Sequence, residues 1–183
     1  RDAGYSFRFE LIGTGEMEQP LKLQASEAGL LDKNVCFLGT MSPENVRRHM
    51  ENAGIYLFTS DRREGWGAVL NEAMNSGCAV IASDAAGATP FLIKDGVNGS
   101  VYHSGSVQEL YEKLRRLLDD TNLQSKLGSE AYRTITELWN AETAAKRLLQ
   151  LSQTLLSGAD ASRLFADGPC SPAKPLREDW YRP

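Results

Sequence analysis

The sequence predicts an α/β fold: a parallel sheet with helices on both faces, closed by an all-helical end. Three observations predict it. Short runs such as IYLFT (residues 55–59) and CAVIA (78–82) alternate with helical patterns along most of the chain. Those runs are apolar throughout rather than at every second position, as strands covered on both faces must be. Beyond His103 strand signals cease, and apolar residues at 107, 110, 111, 114, 117 and 118 follow helical periodicity.

Each element has its own signal. FRFELI (7–12) reads as a strand that leaves through Gly13-Thr14-Gly15. A helix over about Met17–Ala28 follows, with Gly29 as its stop. Asn34–Leu38 is the second strand, ended by Gly39. Ser42-Pro43 opens the next helix as N-cap and first helical residue, and the helix runs to about Asn52. Ile55–Thr59 is a strand, Trp66–Asn75 a helix, Cys78–Ala82 a strand, Pro90–Ile93 a short helix and Ser100–Tyr102 a fifth strand. Helices over Ser106–Leu118, Asn122–Glu137 and Ala141–Leu156 make the helical end. From Ser157 the composition turns to Gly, Ala, Pro and Ser, with Pro169, Pro172, Pro175 and Pro183, so 157–183 is expected to be an irregular or loosely attached tail.

Bulk properties narrow the function classes. A chain of 183 residues has room for one well-buried domain, here residues 1–156, and hardly for two. The net charge of −4 argues against broad electrostatic binding to nucleic acid or an anionic membrane. No apolar run is long enough to span a bilayer, and the first residues do not form a signal peptide. Cys36 and Cys78 lie in apolar strand runs, and no Cys-x-x-Cys pair occurs, which suits a reducing cytoplasm.

The chemistry concentrates in Ser60–Gly77, SDRREGWGAVLNEAMNSG, which follows an apolar strand and so sits at the carboxyl end of a parallel sheet, where open α/β folds bind ligands. Gly65 and Gly67 let the backbone approach a ligand closely. The N–H groups and dipole of the helix start favour an anion such as a diphosphate. Glu64 precedes the helix and Glu72 lies two turns into it; were the segment wholly helical, the two would stand about 12 Å apart. Carboxylates accept hydrogen bonds from hydroxyls, so the arrangement suits a ligand that is hydroxyl, phosphate, hydroxyl.

Glu64-x7-Glu72 within E-G-W-G-x-V-L-x-E-A-M-x-x-G resembles the signature of the group 1 (family 4) retaining glycosyltransferases. The flanks agree: F-x-L-I-G-x-G at 9–15, N-V-x-F-L-G at 34–39, C-A-V-I-A-S-D at 78–84 and D-G-x-N-G at 95–99. The resemblance covers about residues 5–150. It implies the Rossmann-like C-terminal half of a GT-B fold, binding a nucleotide sugar, expected to be UDP-linked, for transfer to a glycan or lipid-linked acceptor in polysaccharide biosynthesis. Glu64 would hold hydroxyls of the transferred sugar and Glu72 the ribose. Amides around Gly67, Ala68 and Val69 would face the diphosphate, with Gly65 and Trp66 beside them, and Thr40 and Met41 would lie against the base. The resemblance also implies an acceptor domain and a first βα unit, with an Arg and a Lys that clamp the diphosphate, lying outside this sequence. Membrane contact is not indicated by this half; any contact at the inner face falls to the other. Where members often carry Gly-Gly-x-x-Glu after the fourth strand, this chain has Gly87-Ala88-Thr89-Pro90-Phe91.

Blander readings stand beside these. Trp66 reads as a packing residue before a sugar-stacking one. Gly13-Thr14-Gly15 lacks a glycine at position 18, so it is no dinucleotide fingerprint. His49 and His103 read as ordinary surface residues, Asp119-Asp120 as turn chemistry, and Arg47-Arg48 and Arg115-Arg116 as solvated faces. No Asp-x-Asp pair or His/Cys cluster calls for an obligatory metal. The alternative function is a nucleotide- or sugar-binding module without turnover, expected of the isolated half. A phosphorylase would need a cofactor-lysine motif that the chain lacks.

Overall fold

The structure, a computed structural model, describes residues 4–173 and Leu176. The chain divides into two compact units between His49 and Met50.

The first unit holds β1 (Phe9–Ile12), α1 (Glu18–Glu27), β2 (Val35–Gly39) and most of α2 (Pro43–Asn52), through which the division falls. β1 and β2 run parallel with Phe9 opposite Val35, and the register slips between Leu11 and Ile12 so that Ile12 faces Gly39. Gly39 has φ +67°, and its carbonyl accepts the Gly13 amide at 2.8 Å. Two glycines therefore end both strands together. Ser42 Oγ accepts the Asn45 amide at 3.4 Å, starting α2 with Pro43 as its first residue. His49 is not an ordinary surface residue. It is half-buried, its Nδ1 lies 2.7 Å from Glu10 Oε2, and Glu10 also accepts Arg8 Nε at 2.7 Å. A polar helix face had concealed a carboxylate waiting on the strand.

The second unit holds β3 (Ile55–Phe58), α3 (Ala68–Asn75), β4 (Ala79–Ser83), α4 (Thr89–Leu92), β5 (Ser100–Tyr102), α5 (Val107–Asp119), α6 (Thr121–Arg133) and α7 (Ala141–Leu156). Its sheet is parallel in the order β3-β4-β5, with Ile55 opposite Ala79 and Ile81 opposite Ser100. Central β4 is buried at every residue, which is why its sequence is apolar without alternation. On one face Ala79 and Ile81 pack with Leu117 and Leu127, joined by Ile55, Leu57, Leu110, Leu114 and Leu123. Side chains alternate across a strand, so Phe58 points to the opposite face, where it meets Gly67 at the start of α3. α3 itself buries Leu70, Ala73 and Met74.

Caps explain the helical end. Ser106 Oγ accepts the Glu109 amide at 3.3 Å to open α5, and Asp120 Oδ1 accepts the Leu123 amide at 2.9 Å to open α6. Asp120 is thus the turn residue its position suggested. Asn140 Oδ1 caps α7 through the Thr143 amide at 2.8 Å. The sequence reads as one helix to Glu137, but α6 stops at Arg133 and Thr134–Leu138 form a π turn. Thr134 Oγ1 donates to the Glu130 carbonyl at 2.7 Å and accepts Asn98 Nδ2 at 2.9 Å. A hydroxyl bonded back into its own helix and pulled from outside loosens the regular ladder there.

Residues 157–173 form no helix or strand, but they are tied down. The Arg147 guanidinium donates to the carbonyls of Asp167 and Pro169 and lies 4.7 Å over the Phe165 ring. Lys94 pairs with Asp167. Gly168, with φ +80°, is buried against Leu138 where a Cβ would come within 2.6 Å. Composition says nothing of a cation that holds backbone carbonyls. Pro175 and Pro183 lie outside the described residues.

Gly128 tests the packing of α6. A helical Gly→Ala change usually stabilises by about 0.4–1 kcal/mol, but a Cβ here would stand 2.2 Å from the Gly77 carbonyl oxygen. Gly128→Ala is therefore expected to destabilise by about 1–3 kcal/mol, read as a lower urea midpoint. An unchanged or higher midpoint would refute backbone contact between α6 and the end of α3.

Candidate functional site

The loop from Thr59 to Gly67 leaves the carboxyl end of β3 and enters α3. Asp61 organises its first half: the Glu64 amide donates to its carbonyl at 3.0 Å, the Arg63 amide to Oδ1 at 2.9 Å, and the Arg63 guanidinium to Oδ2 at 2.8 Å. The Arg63 hydrogen bonds hold the Asp61 carboxyl below the usual carboxylate range. Thr59, Ser60, Asp61, Arg63 and Glu64 line an open depression of ≈ 400 Å³.

Gly67 sets the second half. Its φ of +82° is left-handed, and a Cβ on it would meet Phe58 Cζ at 2.5 Å and Glu64 Cγ at 3.2 Å. A helix cannot pass through that conformation. The helix expected from Trp66 therefore starts at Ala68, and Glu72 is only its fifth residue. The figure of about 12 Å for a wholly helical Glu64–Glu72 step does not apply, because residues 64–67 are not helical. Gly67 provides no side-chain cap. The amides of Ala68 and Val69, in the first turn, have no acceptor within the helix.

Behind this loop lies another. A Cβ on Gly87 would stand 1.7 Å from the Gly65 carbonyl oxygen, and the Ala88 amide donates to the Trp66 carbonyl at 2.9 Å. Trp66 Nε1 donates to Asn71 Oδ1 at 2.8 Å, and its ring packs 5.7 Å from that of Phe91 and 5.9 Å from that of Trp139. Sequence reading marked Gly87–Phe91 only as a departure from a pattern and did not reach Trp139, which stands more than seventy residues from Trp66. A lone Trp after a helix gives no signal of its partner.

Glu64 and Glu72 are both exposed. Their charges act on one phenol. Burial pushes Tyr56 of β3 up to about 12, with Cys78, Glu72 and Glu64 adding to the shift. Tyr56 escaped the sequence reading because a tyrosine in an apolar strand looks like core. Gly65, Trp66 and Ala68 are exposed, Val69 is half-buried, and Gly67 is buried under the loop it turns. Thr40 and Met41 belong to the first unit, directly after β2, with Thr40 exposed and Met41 half-buried.

His103, expected as plain surface, is engaged instead. Its Nδ1 lies 2.8 Å from Asp84 Oδ2, its amide donates to Glu109 Oε2 at 2.9 Å, and the Ser104 amide donates to Asp84 Oδ1 at 2.8 Å. The parallel pairing of β4 and β5 brings both exits to one edge, which one-dimensional reading cannot see. Among the described residues no group of three or more His, Cys, Asp or Glu gathers as a metal site would require, and no helix is long and apolar enough to cross a membrane.

The buried phenol makes a pH prediction. Tyr56 holds its proton more tightly folded than unfolded, so its contribution is complete below its ordinary value of 10.0 and is lost as pH rises through about 12. Unfolding free energy from urea titrations should fall across that window, and Tyr56→Phe should flatten part of the fall. An identical slope in the variant would show that the phenol ionises freely.

Known proteins resemble this chain in sequence and in fold. The family described as Glycosyl transferases group 1 matches residues 1–134. A GDP-mannose-dependent α-(1-6)-phosphatidylinositol monomannoside mannosyltransferase of Mycobacterium tuberculosis is 27% identical over 159 residues, covering 84% of this chain and 40% of its own length. The C-terminal domain of a group 1 glycosyl transferase (LpcC) from Francisella tularensis superimposes with a TM-score of 0.61 at 32% identity, covering 67% of this chain and 62% of that one. Anabaena HepE in complex with UDP superimposes with a TM-score of 0.69 at 28% identity, covering 82% of this chain and 41% of that one. The chain spans between about a sixth and two fifths of the length of the curated relatives it matches. Its parallel sheets flanked by helices are those of the C-terminal domain of a GT-B enzyme, and the chain belongs to the group 1 glycosyltransferases.

Proposed function

We propose that this chain is the donor-binding half of a retaining glycosyltransferase, taking a nucleotide sugar at the loop between β3 and α3. One observation supports this above the others: an uncapped helix start at the carboxyl end of a parallel strand, with an exposed carboxylate before it and another within it. Amides of Gly67, Ala68 and Val69 would hold the diphosphate. Glu64, which lines the open depression, would grip hydroxyls of the transferred sugar, and Glu72 the ribose. Gly65 lets the backbone close in, and Trp66 borders the sugar end. Thr40 and Met41 as base contacts rest on the resemblance alone.

In the proposed reaction the bond from the anomeric carbon to the phosphate oxygen breaks and one from the same carbon to an acceptor oxygen forms on the same face. The acceptor proton passes to the departing phosphate. The protein's part is to stabilise charge on that phosphate with dipoles already in place. We assign a UDP-linked donor and no obligatory metal. The acceptor is a glycan or lipid-linked sugar in cytoplasmic polysaccharide synthesis, engaged by parts of the enzyme outside this chain. The 183 residues alone are expected to bind the donor without turnover, since they correspond to two fifths or less of the length of the matched relatives.

Calorimetric titration of the chain with UDP, and with GDP for comparison, should give saturable binding with UDP preferred. No saturation by either nucleotide at millimolar concentration would defeat the donor-site reading. Glu72→Gln should weaken UDP binding by about 1.5–3 kcal/mol, the loss of a charge-assisted hydrogen bond. Undiminished affinity would remove Glu72 from the ribose. In the enzyme that contains this chain, Glu64→Gln should lower kcat by roughly 10²–10³ with the melting temperature unchanged. Wild-type turnover would remove Glu64 from the mechanism.

A further inference from the structure

β5 ends the order β3-β4-β5, and its outer edge is not left to water. Successive residues of a strand turn their backbone groups to opposite sides. The Tyr102 carbonyl faces β4, where it accepts the Asp84 amide at 3.0 Å, so Val101 and His103 face away from the sheet. Each of those two outward amides is taken by a carboxylate. Asp95 Oδ1 accepts the Val101 amide at 2.8 Å, and Glu109 Oε2 accepts the His103 amide at 2.9 Å. The carbonyls of Gly99 and His103 are engaged as well, by the amides of Gly96 at 2.8 Å and Ser106 at 2.9 Å.

The Glu109 carboxylate has left its ordinary place to do this. Ser106 and Glu109 have the spacing of a reciprocal cap, in which the glutamate returns to the amide of the capping residue. Here Ser106 Oγ accepts the Glu109 amide at 3.3 Å, but the Ser106 amide goes to His103 and the Glu109 carboxylate crosses to the strand. Asp95 is fixed by Lys113, whose Nζ lies 3.2 Å from both of its oxygens. Glu109 and Lys113 stand one turn apart on α5. One ridge of that helix therefore runs along the strand edge.

An edge amide open to solvent can bond to water, so satisfying it does not by itself require a carboxylate. What the carboxylate adds is exclusion. An ionised carboxylate accepts and cannot donate, and it occupies the position that the carbonyl of an added strand would take. We propose that Asp95 and Glu109 close the outer edge of β5 against strand addition by a second copy of this chain. A second copy is the partner to exclude, because every copy carries the same edge and Ser-Val-Tyr is a strand-forming run. The closure does not depend on the donor-site reading.

Amide hydrogen exchange and light scattering on the full 183-residue chain test this. Asp95→Ala combined with Glu109→Ala should speed exchange at Val101 and His103 about tenfold or more in dilute solution, the loss of hydrogen bonds to charged groups. As concentration rises, the mean mass of that variant should climb above that of the wild-type chain, and protection at both amides should return. Asp95→Asn combined with Glu109→Gln keeps both acceptors and should match the wild-type mass. Val101→Pro added to the alanine pair removes an outward donor without touching the ladder to β4, and should cancel the gain in mass. Glu109→Ala alone leaves the turn at Asp95 intact, guards against loss of fold, and should speed exchange at His103 only. Unchanged exchange at both amides would show that the carboxylates do not hold the edge. A gain in mass that survives Val101→Pro would place the association on another surface, and no gain at any concentration would leave nothing for the carboxylates to exclude; each of these results overturns the closure.

Discussion

The left-handed turn at Gly67 is the constraint on which the rest of the second unit depends. With φ at +82° and no room for a Cβ above the Phe58 ring, the chain lifts off the end of β3 and drops at once into α3. No side chain caps that start, so its first amides remain available for an outside acceptor. A residue with a Cβ would both strain the backbone and push the helix away from the strand end. The free helix start thus follows from steric necessity, and the two glutamates stand where that turn places them.

The loop after β4 repeats the strategy at closer quarters. Gly87 lies against the Gly65 carbonyl so tightly that only hydrogen fits, and the Ala88 amide fastens the Trp66 carbonyl. This contact requires β4 to lie directly beside β3 and buried, which its unbroken apolar sequence secures. Core packing and site geometry are one arrangement here. The helices beneath β4 hold the strand, and the strand holds two loops against each other at its carboxyl end.

The helical end contributes more than a cover. Through Asn98 and Thr134 the turn after α4 is joined to the π turn, and through Leu138 and Gly168 the π turn is joined to the last described segment. Arg147 closes that segment by collecting backbone carbonyls that no regular element satisfies. The result places Trp139 against Trp66, so the far end of the second unit supports the loop that carries Glu64.

The order of the strands and α-helices was legible in the sequence, whereas the π turn at Thr134–Leu138 was not. Periodicity, caps such as Ser106, Asp120 and Asn140, and stops such as Gly29 and Gly39 are local signals, and local physics answers them. The Glu64–Glu72 segment was legible for the same reason, as a glycine-rich turn between an apolar strand and a helix. Tertiary structure alone decided the rest. Ala68 rather than Trp66 begins the helix because Gly67 takes a left-handed φ through which no α-helix passes. Glu10 meets His49, Asp84 meets His103, and Trp139 meets Trp66, because strand pairing and helix packing bring together residues whose separation along the chain carries no trace of it. A sequence records what each residue prefers for itself, and only the folded chain shows which distant neighbour satisfies that preference.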